Sequence, residues 1–146
     1  CILAVNLIGI SAMKKILLIS LVLLCSSTTF AQKSAFAWYF EGNKMLFRKD
    51  YPAAIAAYDK AILLDPNADY AWYNRGNAKF EQGDYKVARL DFNKTILLNP
   101  EYAEAYFGRG RCKMFLGDQD GGCKDFKKAD KFRFPPAREA FNEHCK

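Results

Sequence analysis

The chain predicts an all-α fold: three helix-turn-helix units stacked side by side, closed by a short C-terminal capping helix. The main observation is a period. Trp38, Gly42, Ala54, Tyr58 and Pro66 return 34 residues on as Trp72, Gly76, Ala88, Phe92 and Pro100. They return again as Tyr106, Gly110, Gly122 and Phe126, with Ala129 in step with Ala61. A fixed period between about 20 and 50 residues is the mark of stacked repeats. Within each period the apolar residues recur at three and four, the helical spacing. Prolines then close the first two periods, where a helix has to stop.

Residues 1–31 read as upstream sequence followed by an export signal. Met13-Lys14-Lys15 is a basic start, Ile16 to Leu24 an apolar run broken by Ser20, and Ser26 to Thr29 a small, polar exit. That is the order of a secretory signal peptide. The run is too short to span a bilayer, which takes about 20 residues. Thr29 and Ala31 are the small residues a peptidase reads, so cleavage is expected after Ala31. Met13 reads as the start, which places Cys1 to Ala12 upstream of the natural product. Two alternatives are a lipid anchor at Cys25, disfavoured by the bulky Leu24 before it, and a membrane tether made of Cys1 to Ala12 plus the apolar run. All three put the rest of the chain outside the cytoplasm, with a bacterial periplasm the expected location.

The repeats follow in order. Unit one spans 35–68, with a first helix over about Ala35 to Arg48 and a turn at Lys49-Asp50-Tyr51-Pro52. Pro52 is tolerated because the first turn of a helix has no use for its missing N–H. The second helix runs to about Leu64 and buries Tyr51, Ala54, Ile55, Tyr58, Ala61 and Ile62 on one face, and Asp65-Pro66-Asn67 stops it. Unit two spans 69–102, turning at Gly83-Asp84-Tyr85, with Tyr85, Ala88, Phe92, Thr95 and Ile96 as its stripe and Asn99-Pro100 as its stop. Unit three spans 103–136 and is atypical. Gly121-Gly122 stands where the others carry alanine, at up to about 1 kcal/mol each, so it is expected to be the loosest unit. Pro135-Pro136 is expected to end it, and residues 137–146 to cap the stack with Ala140, Phe141 and His144 on a docking face. Gly42, Gly76 and Gly110 fall mid-helix, where glycine is disfavoured unless a neighbour comes close. Trp38, Trp72 and Tyr106 are expected to cover those crossings.

On these residues the chain resembles the tetratricopeptide repeat family. Its pattern of an aromatic, a glycine, an alanine, an aromatic, an alanine and a proline is met by Trp38, Gly42, Ala54, Tyr58, Ala61 and Pro66, and by Trp72, Gly76, Ala88, Phe92 and Pro100. Glu41, Arg75 and Arg109 stand where the family usually has leucine, and Thr95 replaces an alanine. The resemblance implies a right-handed superhelix whose first helices line a concave face that takes extended peptides or partner helices. The first helices carry a second stripe suited to that role: Phe36, Tyr39, Asn43 and Leu46, then Tyr70, Tyr73, Asn77 and Phe80, then Glu104, Phe107, Arg111 and Met114. The expected groove is Tyr39, Asn43, Tyr70, Tyr73, Asn74, Asn77, Phe107 and Arg111, aromatics giving rigid contact area and amides and guanidinium binding backbone or carboxylate. The competing reading is that the aromatics only pack between units. In co-chaperones of this family a clamp of lysines, asparagines and arginine holds an acidic C-terminus. Asn43, Asn74 and Arg111 match three clamp positions, but Tyr39 and Phe107 replace both lysines, so that ligand is not carried over.

Cys112, Cys123 and Cys145 lie beyond the signal, and export makes disulfides available. Cys123 on the last second helix and Cys145 at the end of the cap are the expected pair, with Cys112 to Cys123 the alternative and Cys112 otherwise a buried free thiol. His144 with the cysteines matches no compact metal spacing. Neither a Ser-His-Asp set, a Gly-rich phosphate loop nor a carboxylate pair is present, so a non-enzyme with no cofactor is expected. The 146 residues carry a net charge of +6; removing Lys14 and Lys15 leaves 20 basic against 16 acidic residues, +4, too mild to argue for nucleic acid. Lys124, Lys127, Lys128, Lys131 and Arg133 form a basic edge diluted by Asp125 and Asp130. The function expected is a non-catalytic adaptor of the bacterial envelope holding a protein or peptide, with no small-molecule substrate. The alternatives are an acidic protein or anionic envelope surface on the basic edge and, from another class, a Cys/His metal protein or enzyme.

Overall fold

The computed structural model describes residues 33–145, so the export signal and cleavage site expected from the sequence, Cys25 and the expected upstream segment lie outside the described residues. Seven helices follow in order: α1 (Ala35–Phe47), α2 (Tyr51–Leu64), α3 (Asp69–Glu81), α4 (Tyr85–Leu98), α5 (Ala103–Phe115), α6 (Gln119–Lys131) and α7 (Pro135–His144). Among the described residues there is no strand. Lys33–Lys146 makes a compact unit of its own.

Local chemistry explains each boundary. Ser34 caps α1 by accepting from the Ala37 N–H at 3.1 Å. Asp50, Asp84 and Asp118, again 34 apart, cap α2, α4 and α6 through the N–H groups of Ala53, Val87 and Gly121. Each is preceded by a left-handed residue that reverses the chain: Lys49 at φ 60°, Gly83 at 86° and Gly117 at 84°. Glycine enters that region without steric cost, whereas Lys49 takes it with a Cβ.

Pro135 and Pro136 behave differently from expectation. They open the cap rather than close unit three: α6 ends at Lys131, Arg133 turns the chain at φ 63°, and both prolines lie in the first turn of α7. That turn has no intrahelical acceptor for the N–H groups they lack.

The helices of each unit pack as an antiparallel pair, and each second helix packs on the next first helix (α2 on α3, α4 on α5, α6 on α7). The first helices also approach one another, α1 to α3 and α3 to α5, and the second helices show no comparable approach. An inner layer closer-set than the outer one bends the stack, so the first helices line the concave side.

The glycine crossings are as tight as expected, but the residue above each glycine is different. A Cβ on Gly42 would lie 2.5 Å from the Tyr58 ring, one on Gly76 3.0 Å from Phe92, and one on Gly110 2.7 Å from Phe126. The second-helix aromatic fills each crossing. Trp72 and Tyr106 instead clasp the turn before their own helix, the indole N–H donating to the Pro66 carbonyl at 3.0 Å and the Tyr106 hydroxyl to the Pro100 carbonyl at 3.1 Å. Gly122 is not merely a weak helix former. A Cβ there would lie 2.6 Å from the Met114 sulfur and 3.1 Å from the Gly110 carbonyl, so two glycines meet where units one and two pair glycine with alanine.

Candidate groove on the first helices

The groove residues sit on the inner layer in three successive groups. Tyr39 packs on Tyr58 of its own unit, centroids 6.2 Å apart, and on Tyr70 of the next at 4.6 Å. Tyr73 repeats this with Phe92 at 5.9 Å and Tyr102 at 4.9 Å. Phe107 repeats it with Phe126 at 5.5 Å and Phe134 at 5.3 Å. All three are half-buried. Their rings therefore mortar one unit to the next, and each keeps part of its surface exposed.

The polar members are partly committed too. The Asn43 side-chain oxygen accepts from the buried Tyr58 hydroxyl at 2.7 Å, and the Asn74 amide donates to the Tyr70 carbonyl at 2.8 Å. Burial raises the Tyr58 phenol above its ordinary range, with Tyr39 adding to it, so Asn43 receives a neutral donor. Burial also raises the Tyr73 hydroxyl, against the opposing pull of a hydrogen bond to Asn77. Asn43 and Asn77 thus each support a tyrosine across or beside the groove wall.

Arg111 stands apart. Its guanidinium lies 4.0 Å above the Phe80 ring and 5.9 Å from Phe107. Every other basic side chain on α3 and α5 has a carboxylate. Arg75 and Lys79 share Asp91, and Arg109 and Lys113 share Asp125. Arg111 has none among the described residues. It borders a cavity of about 410 Å³ lined by Phe107, Met114, Phe115 and Phe126, with Ala140 and His144 of α7 as the far wall. Apolar walls with one unpaired cation suit a large apolar side chain beside a carbonyl or carboxylate.

Two features were not anticipated from the sequence. One is the pair of buried ionic clusters, in which Asp91 and Asp125 are 2 % and 4 % exposed. Arg75 forks onto Asp91 through Nε at 2.9 Å and Nη2 at 2.6 Å and reaches Asp59 with Nη1. Arg109 copies this with Asp125 and Asn93. The signal was present, because Arg75, Lys79 and Asp91 recur 34 residues on as Arg109, Lys113 and Asp125. The other concerns the basic edge. Asp125 does not dilute it, since it faces inward, and Asp130 is held by Arg138 at 2.9 Å.

Cys123 and Cys145 lie at disulfide distance, Cα to Cα 5.6 Å, tying the end of α7 to α6. Cys112 is buried apart from them, its thiol pushed up to about 12 by burial. The pairing engages both cysteines near His144, and among the described residues no three His, Cys, Asp or Glu side chains group as ligands.

Residues 42–83 match a family model for the TPR repeat, and residues 69–102 a second model for the tetratricopeptide repeat. Among solved structures, the first TPR domain of Spaghetti (RPAP3), bound to the HSP90 peptide SRMEEVD, is similar at 27% identity. It covers 75% of this chain and 89% of that one, with a TM-score of 0.73. The first TPR domain of human RPAP3 is similar at 27% identity, over 75% of this chain and 87% of that one, with a TM-score of 0.72. MamA is 30% identical over 72% of this chain but 61% of its own, with a TM-score of 0.67. No curated protein sequence matches the chain. With the 34-residue register, the glycine crossings and the curved inner layer in place, the matches show that residues 42–102 are repeats of the tetratricopeptide repeat family, and the described helices share the architecture of TPR domains.

Proposed function

We propose that this chain is a non-catalytic adaptor that holds an extended peptide or partner helix against α1, α3 and α5. The observation that carries the reading is Arg111, the one basic side chain of α3 and α5 without a carboxylate among the described residues, set at the rim of an apolar cavity. The Spaghetti neighbour supports it, since its domain of the same architecture is solved with a peptide in place. The ligand differs in chemistry from an acidic C-terminus. Tyr39 and Phe107 replace two cations, so the face offers aromatic edges, amides and a single guanidinium. We further propose that the chain acts after export, with residues 1–31 removed and its partner in a bacterial envelope. The basic start, apolar run and small-residue exit support that part, and N-terminal sequencing of the exported protein checks it.

The binding experiment pairs wild type with Asn74→Ala/Arg111→Ala in a pull-down from envelope extract, followed by titration of the captured partner. Removing a hydrogen bond to a charged group is worth roughly 1.5–3 kcal/mol, so affinity should drop at least about tenfold while helicity is kept. A partner bound equally well by both proteins rejects the groove.

A further inference from the structure

The outer layer carries a second surface, built on the same register as the groove but facing away from it. Positions 60, 94 and 128 are all lysine; positions 63, 97 and 131 are Leu63, Leu97 and Lys131; positions 56, 90 and 124 are Ala56, Leu90 and Lys124. Spacings of four and three put these rows on one face of each second helix. The leucines there are not packed: Leu63 is 81 % exposed, Leu97 73 % and Leu90 57 %.

The charge of this layer is lopsided. Lys60, Lys86 and Lys94 lie on α2 and α4, and Lys124, Lys127, Lys128 and Lys131 on α6. None has a carboxylate partner among the described residues. Of the aspartates on these helices, Asp91 and Asp125 turn inward to arginine and lysine. Asp59 is held by Arg75 and Asp130 by Arg138, which leaves Asp120. The fold thus withdraws or neutralises the acids other than Asp120; Lys60, Lys94 and Lys128 lie over the rings of Trp38, Trp72 and Phe132, while Lys86, Lys124, Lys127 and Lys131 stand exposed.

We infer that this convex face docks on an anionic lipid bilayer, with the lysines at the headgroup phosphates and Leu63, Leu90 and Leu97 entering the interface. Lysines near a negatively charged leaflet are attracted individually, and protruding aliphatic side chains add burial that neither a nucleic-acid backbone nor a purely acidic protein supplies. The leucines sit on the first two units and the lysines concentrate on the third, so the face has an inserting end and a charged end. The groove lies on the opposite layer and stays open to its ligand.

The test uses the chain from Lys33 to Lys146, which forms its own compact unit. It is sedimented with vesicles of phosphatidylcholine alone or with about 30 mol% phosphatidylglycerol, the anionic lipid supplying the surface potential. Binding to the anionic vesicles should exceed binding to the neutral ones by about tenfold or more and disappear in high salt. Lys124→Gln/Lys127→Gln/Lys128→Gln/Lys131→Gln should lose that excess. Leu63→Ser/Leu90→Ser/Leu97→Ser should weaken anionic-vesicle binding by about tenfold. All these positions are solvent-facing, and circular dichroism confirms that each variant is folded. Equal binding to both vesicle types overturns the proposal. So does an unaffected leucine variant whose vesicle binding is fully displaced by polyglutamate or duplex DNA, because the face would then read charge alone.

Discussion

Asp91 sits between Arg75 and Lys79, and its two oxygens meet both. Burial opposes the charge on Arg75, but the hydrogen bonds it donates to Asp91 and Asp59, with the charges of both carboxylates, outweigh it and hold the guanidinium pKa above its ordinary value. Removing one member of such a group strands the others in low dielectric, a loss of about 3–5 kcal/mol. Asp91→Ala should therefore lower the urea unfolding free energy by that order. Arg75→Leu/Asp91→Ala should recover most of it, since Lys79 can reach solvent and an apolar replacement of a buried pair is often neutral. Equal losses in the single and double variants would show that the pair contributes packing only. Cys112 makes a second case. Its thiol is raised from an ordinary 9.0 to about 12 by burial. An unfolded thiol ionises above 9 while the native one stays protonated, so stability is fully present below about pH 9 and falls as pH climbs toward 12. Cys112→Ala should flatten that part of the stability–pH profile, and native Cys112 should resist alkylation at pH 8 until the chain unfolds. The buried free thiol of Cys112 was expected from the sequence; the burial of Asp91 was not, because it depends on which helix lies across it.

Helix α7 has ten residues and a single buried one, Ala137. An isolated helix of that length is marginal. What holds it is Ala137 against Tyr106 and Ala129, the Gln119 amide donating to the His144 carbonyl at 2.8 Å, and the Cys123–Cys145 contact. Closing that 22-residue separation with a disulfide stabilises by about 3 kcal/mol in the chain-entropy model. Thiol counting on the unreduced, unfolded protein should find one free cysteine beyond residue 32. Cys123→Ser should lower stability by about that amount and loosen the α7 wall of the cavity. The hairpin elements were readable in advance because turns and proline stops are local chemistry repeated at a constant stride. The start of α7 was misread because two prolines are as compatible with opening a helix as with ending one. Only the position of Arg133 in the turn decides between them.

The stack as a whole has uneven support. Among α1 residues only Gly42 is buried, whereas α5 buries six. In a repeat array each unit contacts only its neighbours, so the ends open first. Hydrogen exchange should show α1 and α7 amides exchanging faster than those of α4 and α5; uniform protection would mean that the array unfolds as one block. The curvature places a half-committed aromatic layer inside and a lysine-rich layer outside, so the two proposed surfaces do not compete for residues. By itself the sequence determined the number of units, their register, the glycine crossings and the surplus stripe on the first helices, because each of these is a short-range pattern repeated at 34. The tertiary structure alone decided that Tyr39, Tyr73 and Phe107 pack between units, that Tyr58 and not Trp38 fills the crossing, that Arg111 is left without a carboxylate among the described residues, and that Asp125 leaves the basic edge. These depend on which side chains two crossing helices bring together, and a one-dimensional period records positions but not the angle at which they meet.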